Sequence, residues 1–138
     1  MFLVPTSRLQ PSQLCTSMAK LRKVQGRRRV FSARSFAPVP IKHLGRNLVL
    51  TGGHTRALAA ALAGLRKIRV YWEDEELGWD LCRVCVRWCR CAGIRTVFDL
   101  REHAVPPGEY ERLWYERCRR MQARMRVKRR RGQTMNVG

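Results

Sequence analysis

Before Glu73 the chain holds no aspartate and no glutamate, and all 14 charged residues in that stretch are lysine or arginine. Acids stay scarce afterwards: the whole chain sets 10 Asp and Glu against 29 Lys and Arg, a formal charge of +19. A protein of that charge repels itself, so a polyanion is its natural counter-charge. Long apolar runs are missing too. The longest, Ala57–Leu65, is too short to span a bilayer and has no interfacial aromatics, so no membrane partner is expected. Nucleic acid leads. No secretory signal is evident, and four of the six cysteines crowd into residues 82–91, which excludes a spaced disulfide framework and implies thiols in a reducing compartment. Catalytic constellations are lacking as well. His43, His54 and His103 are scattered, and Gly52-Gly53 is not followed by the Gly-Lys-Ser/Thr of a phosphate loop. No acid and base pair up, so neither enzymatic activity nor a cofactor is expected.

What is present is arginine at helical spacing. Two prolines open the stretch from Pro107, Glu109 and Glu111 suit a first turn, and a basic run ends at Gly132, which predicts one helix over about 107–131. At 100° per residue, Tyr110, Trp114, Cys118, Met121 and Met125 fall within about 80° of one another as one apolar stripe. Arg112, Arg117, Arg119, Arg120, Arg124 and Arg126 take the other faces, and Lys128, Arg129, Arg130 and Arg131 follow without a break. Most of that circumference would bury unpaired guanidinium groups if it sat in a core. It suits a groove or junction of folded RNA, with the stripe resting on a protein neighbour.

A second helix is predicted over about 77–92. Asp80, Arg83, Arg87 and Arg90 share one face, and Gly93 is a stop signal. Cys82-x2-Cys85 and Cys89-x-Cys91 invite a zinc or iron–sulfur reading. Against it, thiols from one straight helix diverge along its axis, so these residues read as packing groups, with a metal-dependent RNA-binding or assembly factor as the alternative function. Upstream, an Ala-rich helix is predicted over about 54–67. Residues 1–40 have the profile of a mitochondrial transit peptide or a basic RNA-binding arm, and residues 94–100 are β-prone. The organisation read from this is a basic segment 1–40, an extension 41–67, and RNA-binding helices with a basic tail over 68–138. The fold expected is mainly α and extended, with no independent globular core.

From Ile68 onward the order of features resembles the small-subunit ribosomal protein S-twenty-one family in its mitochondrial form. The residues that carry it are Ile68-Arg-Val70, the acidic turn, Trp79-Asp-Leu81 and Arg87, followed by Cys89 and Ala92-Gly93-Ile94. Arg101, Pro107 and Tyr115-Glu-Arg-Cys-Arg-Arg120 continue the series. The match covers about residues 68–131, and residues 1–67 have no counterpart in the short bacterial members. The resemblance implies two helices laid on small-subunit rRNA near its 3′ end, among neighbouring ribosomal proteins, supporting translation in the mitochondrial matrix. On this reading the chain is not a homo-oligomer, and phosphate contacts come from the arginines above, from Lys128 and from Arg101.

Overall fold

Short Val, Ile and Leu runs, punctuated by proline and glycine, build a sheet in the half of the chain that was expected to be an arm and an extension. The computed structural model describes residues 1–26, 32–75 and 78–135, with the backbone alone at Ala33, Arg129 and 132–135. Strands β1 (Phe2–Pro5), β2 (Leu9–Pro11), β4 (Val39–Leu44), β5 (Asn47–Leu50) and β6 (Lys67–Trp72) form one sheet in the order β1-β6-β4-β5-β2; β3 (Thr16–Ser17) pairs separately with β7 (Ala104–Val105). β1 runs antiparallel to β6, with Val4 opposite Ile68. β4 lies parallel to β6 and forms a hairpin with β5 around Gly45, whose φ is +61°. β2 closes the far edge parallel to β5, with Leu9 opposite Leu48. Ile68 and Val70 are buried while Lys67 and Tyr71 are exposed, the period of two expected of a strand with one covered face.

Helix α1 (Met18–Gln25) and helix α2 (His54–Leu62) contribute to the same core. Leu9, Ile41, Leu50 and Val70 meet Ala57 and Leu58 of α2, together with Ile94, Val97 and Leu100 beyond helix α3 (Trp79–Cys91). Gly53 introduces α2 with φ +65°, and a Cβ there would lie 2.8 Å from Val39 Cγ1, so the strand-to-helix turn requires glycine. Residues 97–103 form a 3₁₀ helix rather than the expected extended connection. Asp99 accepts from the Arg95 and Thr96 amides at 2.9 Å each, a capping box that outweighs the β preference of Val97 and Phe98. The long helix then begins as α4 (Pro107–Tyr110), passes through a π turn (Glu111–Tyr115), and continues as α5 (Glu116–Met135).

The expectation of a mainly helical, extended chain without its own core is therefore overturned: this is a mixed α/β fold around a buried cluster that reaches from Val4 to Leu100. The charge balance misled because the arginines lie outside that cluster and remove nothing from it. The upstream helix stops at Leu62 instead of 67, where Gly64 with φ +86° turns the chain toward β6. The second helix spans 79–91, within the expected 77–92, and residue 77 lies outside the described residues. The long helix runs through Gly132 to Met135 instead of capping at that glycine.

Candidate polyanion-binding surface

The apolar stripe of the long helix faces inward, against this chain's own α3 and N-terminal segment. Tyr110, Trp114 and Met121 are buried, and Cys118 and Met125 are half-buried. Trp114 meets Trp88 of α3 edge-to-face at 6.4 Å, and Cys15 completes this second cluster. The neighbour expected for the stripe is thus intramolecular. Seating it turns the arginine faces to solvent: Arg112, Arg117, Arg119, Arg120, Arg124, Arg126, Lys128, Arg130 and Arg131 are all exposed, while the Arg129 side chain lies outside the described residues.

Several of these cations have partners within the chain. Arg119 reaches Glu111 at 3.1 Å, the Arg117 guanidinium stacks 4.2 Å from the Trp88 ring centre, and Arg101 lies over Phe98 at 4.3 Å and 3.8 Å from Glu102. Arg83 lies 3.9 Å from Asp80 on α3. These are exposed ion pairs of small energetic weight, and they would yield readily to a phosphate. No hydrogen bond or ion pair from a described residue reaches Arg87, Arg112, Arg120, Arg124 or Arg126. Arg117, Arg120 and Arg124 line a groove of about 270 Å³ with Trp88 and Met121 at the seam between α3 and α5. A groove with an aromatic wall and three guanidinium groups can hold a phosphate together with an apolar or aromatic face.

Arg90 stands apart from the rest of the α3 face. Its Nε donates to Gln10 Oε1 at 3.2 Å, which turns it toward the edge strand β2 and away from the long helix. There it joins Arg8, Arg46 and Arg95 around a cavity of about 320 Å³. Sequence reasoning missed those three, because nothing in a linear reading brings positions 8, 46 and 95 together. Trp72, 45% exposed at the end of β6, stacks near Phe2 and His43 at 5.4 and 4.8 Å and adds an aromatic surface the sequence did not flag.

The cysteines do not converge on a metal. Cys89 is buried, Cys82 and Cys85 are half-buried and Cys91 is exposed, and no group of three or more His, Cys, Asp or Glu among the described residues is placed to hold one. Cys85 pairs instead with Cys118 across the helix seam. That hydrogen bond, with burial, pushes the Cys85 thiol up, whereas Cys118 is held below its usual value by the same bond and by the Arg117 guanidinium, against burial. Burial pushes Cys15 up to about 11 and Cys89 up to about 12. Iodoacetamide at pH 8 should therefore modify Cys118, through its thiolate, and Cys91, through exposure, at least about tenfold faster than Cys15 or Cys89. Peptide mass mapping of a time course checks this; equal rates at Cys118 and Cys89 would contradict the geometry.

No protein-family model matches the chain, and no curated protein matches it. Among solved structures it is similar to the crystal structure of protein Atu1540 from Agrobacterium tumefaciens, at 14% identity and a TM-score of 0.46. The alignment covers 69% of this chain and 49% of that one, so this chain spans about half the length of that protein. No function follows from a likeness of that degree. Among the described residues no helix is long and apolar enough to cross a membrane.

Proposed function

We propose that the chain is a structured-RNA-binding protein whose principal contact surface is the solvent face of the long helix, α4 through α5. One observation carries the reading: the helix buries its only apolar stripe within the chain, which leaves Arg112, Arg120, Arg124 and Arg126 exposed and without partners among the described residues. Guanidinium groups left so are suited to bidentate phosphate contacts, and such contacts fix position on a nucleic acid rather than read bases. Folded RNA fits better than a regular duplex, because an aromatic wall beside the arginines suits splayed bases at a junction.

In its finer form, the proposal is a constituent of the mitochondrial small ribosomal subunit, bound near the 3′ end of its rRNA among other ribosomal proteins. Support for that form comes from the sequence resemblance over residues 68–131, which lies in β6, α3 and the long helix and leaves most of the sheet unaccounted for. Two measurements test the levels separately. Filter binding to a structured rRNA fragment should show affinity falling roughly a thousandfold or more between about 50 and 200 mM salt. A triple variant Arg120→Gln, Arg124→Gln, Arg126→Gln should flatten the log–log salt slope by about 1 for each phosphate that is no longer neutralised. An unchanged slope would remove the helix from the interface. Sedimentation of a mitochondrial lysate tests the particle: absence from the small subunit at every salt concentration would sink the ribosomal form and leave RNA binding standing.

A further inference from the structure

The fold builds a second cationic site that the long helix does not touch. The β4–β5 turn supplies Arg46, the turn between β1 and β2 supplies Arg8, the last turn of α3 supplies Arg90, and the following loop supplies Arg95. We propose that this pocket binds a compact, multiply charged phosphate group.

The site is constructed, not a chance meeting of surface arginines. Gln10 is only 4% exposed, and its Nε2 donates to the Pro11 and Ile94 carbonyls at 2.9 Å each. Both carbonyls can only accept, so the amide orientation is settled and Oε1 must point at Arg90, whose Nε it receives. That leaves the terminal nitrogens of Arg90 as donors into the cavity. The Arg95 backbone is anchored at the pocket: Ile94 beside it is fully buried, and its own amide donates to the Asp99 carboxylate. That carboxylate also accepts from Thr96, and no ion pair joins it to the Arg95 guanidinium. No acid among the described residues lines the pocket, where Ser7, Gln10 and Asn47 join the four arginines.

Four guanidinium groups around one space repel one another until an anion joins them. A lone carboxylate satisfies a single bidentate arginine, whereas a phosphate offers three or more oxygens and up to two charges. The cavity of about 320 Å³ is at the small end of ligand sites, a size that suits a phosphate or pyrophosphate head. The head could be borne by a small anion or by the end of a nucleic-acid strand, and the chemistry recognised is the same. RNA binding by the long helix is not needed for this proposal.

The test is calorimetric titration of the full chain with pyrophosphate in phosphate-free buffer, comparing Arg46→Gln and Arg95→Gln with the control Arg22→Gln on α1, which lines neither cationic groove. All three positions are exposed, so these variants should keep the wild-type melting profile. Each pocket variant should weaken pyrophosphate about tenfold or more, since each removes charge-assisted hydrogen bonds, while Arg22→Gln leaves the affinity unchanged. Wild-type affinity in both pocket variants, or an equal loss in Arg22→Gln, would overturn the proposal. A 5′-phosphorylated oligonucleotide compared with its 5′-hydroxyl twin then identifies the source. A preference abolished by Arg95→Gln assigns a strand end, and equal affinities alongside retained pyrophosphate binding assign a free small anion.

Discussion

A chain that lacks residues 1–40 should not fold. The deletion takes Val4, Leu9, Leu21, Phe36 and Val39 out of the buried cluster, and each buried side chain of that size contributes about 1.5–3 kcal/mol. Together they amount to roughly 7–15 kcal/mol, against a total stability of about 5–15 kcal/mol for a domain of this kind. The loss is not confined to burial. β6 loses β1, β5 loses β2, and the Ile94 carbonyl loses the Gln10 amide. Even Leu9→Ala, at a fully buried site on the sheet edge, should cost about 2–5 kcal/mol. Urea unfolding followed by far-ultraviolet dichroism reads both: the truncated chain should show no cooperative transition, and Leu9→Ala a lower midpoint with an unchanged slope. A truncated chain that unfolds at the full-length midpoint would mean that the sheet does not depend on its first strands. The result also bears on targeting, because a cleaved transit peptide of that length and this sheet exclude each other in one mature chain.

α2, α3 and the long helix were legible because their signals are local, whereas α1 lies inside the segment that composition marks as a basic arm. Arginines at positions 83, 87 and 90 follow the helical period, Gly93 follows the last turn, and Pro107 opens the next helix; these predict α3 and the long helix without any tertiary information. The strands carry weaker signals: 47–53 and 68–71 read as short strand or extended segments, matching β5 and β6, and the others do not register. β2 is Leu9-Gln10-Pro11, too short for alternation to register, and Pro11 argues against a strand unless it lies at an edge, as it does. Residues 1–40 read by composition as acid-free and basic, which describes their charge and says nothing of Val4, Leu9 and Leu21 facing inward. The candidate site divides the same way. The long-helix arginines could be found because periodicity orders them on one element, whereas Arg8, Arg46, Arg90 and Arg95 become neighbours only after the sheet has formed.

Acid should destabilise this protein through His54, whose ring is buried in its neutral form. His54 opens α2 in full burial, and burial alone pushes its pKa down to about 3. Its Nε2 accepts from the Ser12 amide at 3.0 Å, so the neutral ring carries its proton on Nδ1. Protonating Nε2 would set one N–H against another and place a cation at a helix N-terminus, where the dipole already opposes it. In the unfolded chain the ring takes a proton near pH 6.5. Below that pH the unfolded state binds more protons than the folded one, so stability falls as pH falls, until the folded value is reached. The slope approaches about 1.4 kcal/mol per pH unit, which amounts to roughly 2 kcal/mol between pH 6.5 and 4.5, or about fiftyfold in the folded-to-unfolded ratio. Asp99 works in a lower window: its pKa is held below 3.8, and its contribution is lost only as pH falls through that lowered value. Urea midpoints measured from pH 7 to 4.5 should therefore decline for the wild type and stay nearly level for His54→Gln, whose side-chain oxygen can accept from Ser12 without titrating. A flat wild-type profile would show that the ring is reached by water, and an equal decline in His54→Gln would assign the acid sensitivity to another group.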